Sequence, residues 1–530
     1  MSDERHVWIV IVVVTILASV PATLMAAAEP GPLRAGAAAV DITPTELPVK
    51  VVGGFLERTS AKIVDRLHAR AIVLDDGRTR LAITVVDSCL IDRAVYDEAK
   101  TIANRSTGIP ADRMLMAATH THSAPATVGA LGTDVEENYR RGLPALIARA
   151  VEAAAANLAP ARIGWSVGRL TDYTHCRRWI RRPDCIGKDP FGHLTVRAMM
   201  HPGPQNPEYL GVAGPADPDL SIVSVQSADG EPLALFANYA MHYVGAEPIS
   251  ADYFGTFAER IGQAIGARER TPRFVGILSN GTSGDLWYMD YSKPRRNHDL
   301  NSFATILIDA VAAAYPKIVH RDRVDLAMAE TTLPLEIRPI SDADLAAAKQ
   351  RYAEFADRKP RSIDEVYARD QVLLDQLPST HRLTLQALRI GDCGIAAIPC
   401  EVFALTGLKI KAASPLRPTF IIELANGYDG YLPTPEQHVL GGYETWRARS
   451  SCLDKQAEPK IVAAVRGLLE RVSGQPSREL TSADFPFADY PRAVLASRPV
   501  AYWRLNETAG PTAVDASGNK RDATFEGGWA

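Results

Sequence analysis

The chain has 530 residues, 46% hydrophobic and 23% charged, so it can bury large cores, and its length corresponds to roughly three domains. Its formal net charge is -4, and no basic run with interleaved aromatic residues occurs. This balance argues against a nucleic-acid partner and excludes that class of function.

The N-terminus has the pattern of a secretory signal. An apolar run from Val7 to Val20 is followed by the small residues Ala26, Ala27 and Ala28. We therefore predict a signal peptide over residues 1–28 and a secreted or periplasmic protein. Two acidic residues near the N-terminus weaken the positive charge that usually precedes such a run, so an uncleaved N-terminal membrane anchor is the alternative.

The six cysteines show no CxxC spacing, so a cysteine zinc knuckle is not indicated. In an exported protein an even number of cysteines could pair. Cys176 and Cys185 are the plausible bridge, because nine residues separate them and the bond would close a short loop. Buried free thiols are the alternative.

Strand-like and helix-like runs alternate through the first third of the chain. Residues 69–75 and 81–87 predict two neighbouring strands that turn at Asp76-Gly77. Helical periodicity follows at 93–103 and again at 136–157. This alternation predicts an α/β fold.

The second half continues the pattern. Residues 341–377 predict long helices with charged faces, 383–398 a pair of strands, and 402–412 a helix. We therefore expect layered mixed sheets with covering helices, and a metal site at the strand ends.

The stretch from 113 to 119 predicts a buried strand that runs directly into His120 and His122. In an extended segment alternate side chains share a face, so both imidazoles would point into one cavity. Two convergent histidines are typical of a metal site, although two hydrogen-bonded histidines beside a turn would have the same spacing.

Other predicted strands also end in polar groups. Residues 233–242 form a strand that ends in His242, and Glu401 follows the strand pair at 383–398. The strand at 419–424 leads into the loop that contains Tyr428 and Tyr431. Strand ends are a usual place for chemistry in α/β proteins, because the sheet holds the backbone while the loop opens toward the substrate.

Two further segments allow two interpretations. The loop 279–285 holds two glycines among polar residues, which suits either an ordinary turn or a backbone that approaches a ligand. Residues 173–182 contain four arginines, which form either a solvated face or a fork for a substrate oxyanion.

These landmarks occur together, and in the same order, in one known family. The region resembles the N-terminal catalytic domain of the neutral/alkaline ceramidases, zinc amidohydrolases that cleave N-acyl sphingolipids. The matching motifs are Asp41-Ile-Thr-Pro44, Leu67-x-Ala-Arg-Ala71, Thr119-His-Thr-His-Ser123, Asn238-Tyr-Ala-x-His242, Ser250-x-Asp252, Pro399-x-Glu401 and Tyr431-x-x-Thr-Pro-Glu436, followed by Tyr443.

The resemblance implies a zinc ligand set of two histidines, a glutamate and a tyrosine. On this chain these residues are His120, His242, Glu401 and Tyr431. Imidazole, carboxylate and phenolate suit Zn²⁺ with an open position for water or a substrate oxygen. The cofactor that the resemblance implies is therefore Zn²⁺.

The resemblance also implies catalytic roles. His122 resembles the family's acid/base or orienting histidine, Tyr443 its transition-state donor, and Arg177 its oxyanion arginine. The family's nucleophilic serine stands two residues after a Gly-Asp pair, but here that position is Trp287.

Without that serine, zinc-bound water is the simpler nucleophile, with His122 accepting or relaying the proton. Thr282 or Ser283 could replace the serine only with a shifted backbone. We therefore predict a secreted zinc-dependent amidohydrolase that acts on a lipid-like or other acylated small molecule. The alternatives are a catalytically impaired carbohydrate- or surface-binding protein and a zinc hydrolase of another bond class, such as a carbohydrate ester.

The predicted domains are a hydrolase domain at 34–470, a linker at 471–490 and a truncated domain at 491–530. The last segment resembles the first strands of a laminin-G/concanavalin-A-like lectin, which implies a glycan contact. Only about forty residues remain there, too few for a closed sandwich, which needs a dozen or so strands. The oligomeric state cannot be predicted from the sequence.

Overall fold

The computed structural model describes residues 30–479, 494–504 and 511–524. The predicted signal segment at 1–28 lies outside this range. Among the residues described, we find no helix with the length and apolar character that a membrane span requires.

Helices and strands alternate along the described chain. The helices are α1 (Arg93–Thr107), α2 (Glu137–Ala156), α3 (Asp252–Ala264), α4 (Leu300–Ala314), α5 (Asp342–Ala353), α6 (Ile363–Asp375), α7 (Ala404–Ala413), α8 (Pro435–Leu440) and α9 (Ala457–Ser473). The strands are β1 (Arg34–Asp41), β2 (Val49–Val51), β3 (Arg58–Ser60), β4 (His68–Asp75), β5 (Arg80–Val86), β6 (Met114–Ala118), β7 (Ala159–Arg169), β8 (His175–Cys176), β9 (Arg178–Arg181), β10 (Gly187–Lys188), β11 (Leu194–Val196), β12 (Ala198–Met200), β13 (Tyr209–Val212), β14 (Asp219–Ser227), β15 (Pro232–Tyr239), β16 (Val275–Asn280), β17 (Leu286–Trp287), β18 (Leu326–Glu336), β19 (Thr380–Ile390), β20 (Cys393–Ala397), β21 (Glu401–Val402), β22 (Thr419–Ile422), β23 (Tyr431–Leu432), β24 (Thr512–Ala513) and β25 (Ala523–Thr524).

Two sheets form the centre of the protein. The larger has eight strands in the order β16-β15-β14-β7-β1-β4-β5-β6, and the smaller has four in the order β18-β19-β20-β22. Both are mixed: β5 and β6 run parallel, as do β15 and β16 and β20 and β22, whereas the other neighbours are antiparallel. The predicted neighbouring strands at 69–75 and 81–87 are confirmed as β4 and β5.

The two sheets pack face to face. Alternate residues of their strands point inward and form one shared hydrophobic core. On β4, Ile72 and Leu74 belong to this inner core, together with Phe236 of β15 and Phe420 of β22. The Phe236 and Phe420 rings meet edge to face with centroids 5.8 Å apart. Aromatic pairs in this geometry add stability beyond the area that they bury.

Helices cover the outer faces of both sheets. The helices α1 and α2 pack on β4, β5 and β6, while α3 and α4 pack on β14, β15 and β16. Helices α7 and α9 cover the second sheet. Strands buried on both faces are apolar at nearly every position, as β4 and β5 are. The predicted layered α/β fold with mixed sheets and covering helices is confirmed.

All six cysteines are free thiols, so Cys176 and Cys185 are not bridged. The Cys176 thiol is buried and instead contacts the carbonyl of Arg178, with 3.4 Å from Sγ to oxygen. Burial raises the pKa of Cys176 above its ordinary value. The alternative of buried free thiols therefore holds for this residue.

In the C-terminal region, the residues that the structure describes contain one short strand pair. The predicted domain boundary at residue 470 lies inside α9, which ends at Ser473, and Arg478 still donates its backbone N–H to the Ala413 carbonyl. Beyond it, β24 pairs with β25, and Trp503 forms a bridge with Asp515. The lectin-like assignment of 491–530 stays a prediction.

Candidate metal centre and active site

Three histidine side chains converge at the edge where the two sheets meet. The Nε2 atoms of His120 and His242 are 3.0 Å apart, and those of His120 and His122 are 3.1 Å apart. Nitrogen ligands of a tetrahedral zinc ion at the usual bond length would lie about 3.3 Å from one another. The spacing of the imidazoles therefore matches a shared cation.

The other ring nitrogen of each histidine fixes its tautomer. The Nδ1 atom of His120 lies 3.0 Å from the Cys89 carbonyl, that of His122 lies 2.8 Å from the Gly53 carbonyl, and that of His242 lies 3.1 Å from the Ser283 carbonyl. A carbonyl can only accept, so each Nδ1 donates a hydrogen. In a neutral ring Nε2 then carries a lone pair.

Burial keeps two of these rings neutral, because it lowers the pKa of His122 and His242 well below the ordinary value for histidine. Although burial lowers it, the neighbouring Cys89 and Glu401 raise the pKa of His120 well above its ordinary value. The Nε2 lone pairs of His122 and His242 therefore face a positive charge, supplied either by a proton on His120 or by a cation bound between the rings.

Glu401 supplies an oxygen to the same point. Its Oε2 atom lies 3.3 Å from Nε2 of His120 and 3.9 Å from Nε2 of His242. This oxygen is buried and has no hydrogen-bond partner, whereas Oε1 accepts from the Tyr428 hydroxyl at 3.0 Å. A buried carboxylate oxygen without a donor is costly, so the residues present fit a divalent cation bound through His120, His242 and Glu401.

His120 reaches the centre by a different route from the one predicted. Strand β6 ends at Ala118, and His120 has a φ of +75°, so the pair is not an extended segment with alternating faces. The left-handed backbone at His120 turns its ring toward His122. The two rings do converge as expected, but a turn, rather than strand alternation, brings them together.

The fourth predicted ligand, Tyr431, lies beside Glu401. Strands β21 and β23 run parallel and pair Glu401 with Tyr431, which brings a carboxylate and a phenol into neighbouring positions at the edge of the site. Tyr431 is buried, and its hydroxyl accepts a hydrogen bond from Arg177 Nη2 at 3.1 Å. Burial and the neighbouring Glu401 carboxylate raise the pKa of Tyr431 well above its ordinary value, and the Arg177 guanidinium opposes this shift only in part.

Arg177 and Arg178 are both buried, which distinguishes them from a solvated charge run. Arg177 Nε donates to Glu444 Oε1 at 3.1 Å, and Arg178 Nη1 donates to the other oxygen of Glu444. Glu444 therefore fixes both guanidinium groups in place, and the buried charges are paired. Of the four arginines in this run, Arg177 is the one beside Tyr431.

Tyr443 lines the same narrow cavity, which has a volume of about 30 Å³ and is also bordered by His120, His122 and Glu401. Its ring meets that of Tyr431 edge to face with centroids 5.4 Å apart. The predicted site residues His120, His122, His242, Glu401, Tyr431, Tyr443 and Arg177 thus surround one region. The cavity has room for water beside the ligand atoms.

The three hydroxyl groups of the 279–285 loop lie outside the cavity that His120, His122 and Glu401 border. Ser283 is buried and donates to Glu423 Oε1 at 2.6 Å. Thr282 packs against Gly407 of α7, away from the cavity. Burial raises the pKa of Glu423 to about 8.

Trp287 also contributes no nucleophile. Its indole Nε1 donates to the Tyr243 carbonyl at 2.8 Å, and the Tyr243 ring stacks on His122 with centroids 3.8 Å apart. The indole that replaces the family's serine therefore supports the residue beside His122.

The sequence analysis did not identify Tyr428, Tyr243, Glu423 or Glu444 as site residues. Tyr428 stands three residues before Tyr431, so its place in the same loop was a usable signal. Glu444 directly follows Tyr443 and could have been considered as a partner for the arginine run. Tyr243 and Glu423 carry no such signal, because their contacts depend on segments far away in the sequence.

No known family model matches the chain. The neutral ceramidase of Pseudomonas aeruginosa is 27% identical over 235 residues, which make up 42% of this chain and 31% of that protein. The matched segment therefore spans about a third of the relative's length.

Two solved structures extend the likeness. The crystal structure of neutral ceramidase from Pseudomonas aeruginosa matches with a TM-score of 0.61 at 19% identity, covering 85% of this chain and 76% of that one. A ceramidase complexed with C2 gives the same TM-score and identity, covering 85% and 77%. The likeness in sequence over part of the chain, and in fold over most of it, confirms the resemblance that the motifs indicated: the chain is similar to the neutral ceramidases and shares their fold.

Proposed function

We propose that this protein is a zinc-dependent hydrolase that cleaves the amide bond of a ceramide-like N-acyl lipid. The observation that carries the proposal is the convergence of the His120 and His242 Nε2 atoms on the unpartnered Oε2 of Glu401. The relationship to neutral ceramidases supports the bond class and the substrate class. The signal-type sequence at 1–28 supports export as the setting.

The proposed ligands are His120, His242, Glu401 and Tyr431. When bound, zinc would supply a Lewis acid that activates water and polarises the substrate carbonyl. The nitrogen and oxygen donors of this set suit Zn²⁺ better than the all-oxygen sites that Ca²⁺ or Mg²⁺ prefer. The burial of all four residues keeps solvent from competing for them.

His122 is the proposed proton acceptor. Its ring is held from one side by the bond from Nδ1 to the Gly53 carbonyl and from the other by stacking on Tyr243, so Nε2 faces the centre. With the four other residues as ligands, the His122 Nε2 lone pair is left to take a proton from the attacking water and return it to the leaving amine. Burial lowers the pKa of His122, so the ring is neutral and its Nε2 carries a lone pair.

Arg177 and Tyr443 are the proposed donors for the charge that develops on the substrate oxygen. Glu444 and Tyr431 hold the Arg177 guanidinium in place before substrate arrives, so little reorganisation is needed during the reaction. The hydroxyl groups of loop 279–285 do not line the cavity beside the ligand atoms, and that of Ser283 is bonded to Glu423. A direct attack by water, without an acyl-enzyme, is the mechanism that this arrangement favours.

The test is hydrolysis of N-acylsphingosines of short and long acyl chain by the purified protein, before and after zinc removal with a chelator. Simple amides and acetylated sugars serve as alternative substrates. We expect release of sphingosine that is lost with the metal and restored by added zinc. His122→Ala should lower the rate by about 10²–10⁴ while leaving zinc bound.

The matched control is His320→Ala. His320 is hydrogen-bonded to Ser224 Oγ, which is not a proposed ligand, so the variant should keep its catalytic activity. Hydrolysis that survives complete zinc removal, or activity on acetylated sugars alone, would contradict the proposal.

A further inference from the structure

Glu423 is a fully buried carboxyl group that takes no part in the reaction proposed above. It directly follows β22, the edge strand of the smaller sheet, and its side chain points between the loops that carry Ser283 and Val402. Neither its sequence neighbourhood nor the family motifs mark it as part of the site.

Three hydrogen bonds saturate this carboxyl. Oε1 accepts from the Ser283 hydroxyl at 2.6 Å, and Oε2 accepts from the Ser283 backbone N–H at 3.1 Å and from the Val402 backbone N–H at 2.8 Å. One side chain therefore joins two segments that are more than a hundred residues apart in the chain. Hydrogen bonds to a buried carboxyl in this geometry fix the backbone of both partners.

Both segments hold a proposed ligand. The Ser283 carbonyl accepts the hydrogen bond from His242 Nδ1 at 3.1 Å, which sets the ring orientation and tautomer of that histidine. Val402 adjoins Glu401 in the two-residue strand β21, so fixing its N–H fixes the backbone that presents the Glu401 carboxylate. A further bond from Gly284 N–H to the Val402 carbonyl, at 2.9 Å, ties the same two loops together.

We propose that Glu423 is a positioning residue that sets the spacing of His242 and Glu401 for the metal. This inference rests on the metal site of the proposed function. It adds that one buried side chain sets the distance between the His242 imidazole, which follows β15 of the larger sheet, and the Glu401 carboxylate on β21. Residues that orient metal ligands in this way typically change metal affinity by about 10- to 100-fold when they are removed.

The test compares zinc affinities of Glu423 variants, measured by competition with a chromophoric chelator on folded protein, so that its readout does not depend on activity. Glu423→Ala removes all three bonds and should weaken zinc binding by about 10- to 100-fold. Glu423→Gln keeps the length and a carbonyl acceptor, while its amide can donate to the Ser283 hydroxyl, so affinity should stay close to wild type. Glu423→Asp is one methylene too short to hold both loops and should give an intermediate loss. If Glu423→Ala does not fold, the zinc affinity of Glu423→Asp tests the positioning role.

Glu458 provides a matched control. It is also a buried glutamate, accepting from Thr406 Oγ1 and Lys409 Nζ at 3.0 Å each, but it stands on α9 behind the second sheet. Glu458→Ala should lower thermal stability and leave zinc affinity unchanged.

The outcomes separate the two proposals. If the wild-type protein binds zinc and Glu423→Ala binds it equally well, or if Glu458→Ala loses as much affinity, the positioning role is overturned while the metal site stands. If the wild-type protein binds no zinc, both proposals are wrong.

Discussion

The ring of His122 stacks on the ring of Tyr243, with centroids 3.8 Å apart and planes inclined by 20°. On the other side His122 lies against Gly53, where an added Cβ would come within 2.6 Å of the imidazole. The histidine is therefore held between a flat ring and a glycine that has a φ of +114°. Its Nε2 atom has one direction left, toward the proposed metal centre.

This contact predicts different outcomes for two Tyr243 variants. Tyr243→Phe keeps the stacked ring and should keep kcat near wild type, while Tyr243→Leu removes the flat surface and should lower kcat because the His122 ring can rotate. A misplaced catalytic group commonly costs about 10²-fold in rate. Steady-state kinetics on an N-acylsphingosine measures this, and equal losses in both variants would show that the hydroxyl matters instead.

Among the described hydroxyl groups of loop 279–285, that of Ser283 lies close to a proposed ligand, with 3.5 Å from Oγ to His242 Nδ1. This hydroxyl donates its hydrogen bond to Glu423. We expect Ser283→Ala and Thr282→Ala each to keep activity within about tenfold of wild type, since neither hydroxyl takes part in bond cleavage. Rapid-quench mass spectrometry should detect no acylated serine. A burst of product, with near-complete inactivation of Ser283→Ala, would indicate a serine nucleophile.

Arg177 donates from Nη2 to Tyr431 and from Nε to Glu444, and a lysine would replace these two separated donor nitrogens with one ammonium group. Arg177→Lys should therefore lower kcat by about 10²–10³ with a smaller change in KM, the effect expected when a transition-state donor is lost. Arg181→Lys is the control, because Arg181 stacks on Tyr209 and donates to the Cys185 carbonyl away from the centre. If Arg177→Lys changes KM alone, the residue binds substrate without stabilising the transition state.

The C-terminal segment should be dispensable for folding of the hydrolase domain. Its described residues bond one another, as Tyr502 does with Asp515 and Trp503 with the Arg521 carbonyl. Deleting residues 491–530 should leave the melting temperature within about 2 °C of wild type, a shift that corresponds to about 2 kcal/mol in a domain of this size. A larger fall in differential scanning calorimetry would show that the segment packs on the hydrolase domain.

Much of the fold could be predicted because its signals are local. The apolar alternation of β4 and β5, the helical periodicity of α1 and α2, and the polar residues at strand ends all lie within short windows of sequence. The family motifs then indicated which strand ends meet. The positive φ of His120 has no such local signal, because histidine only occasionally adopts it.

The hydrogen-bond partners of the proposed ligands could not be predicted from the sequence, for a different reason. His120, His122 and His242 each donate to a backbone carbonyl, and a carbonyl has no side-chain identity to recognise. Glu444 and Arg177 meet across 267 positions of sequence, and Glu423 and Ser283 across 140. Contacts between residues so far apart in the sequence can be identified only in the folded structure.

The most direct test of the account is the zinc content of the purified protein and of His242→Ala, measured by elemental analysis after dialysis against a weak chelator. The wild-type protein should retain about one zinc per chain, and His242→Ala should lose it, because the variant removes one of the four proposed protein ligands. His320→Ala should retain the metal. A full equivalent of tightly bound zinc in His242→Ala, or none in the wild-type protein, would contradict the metal centre on which the proposed function depends.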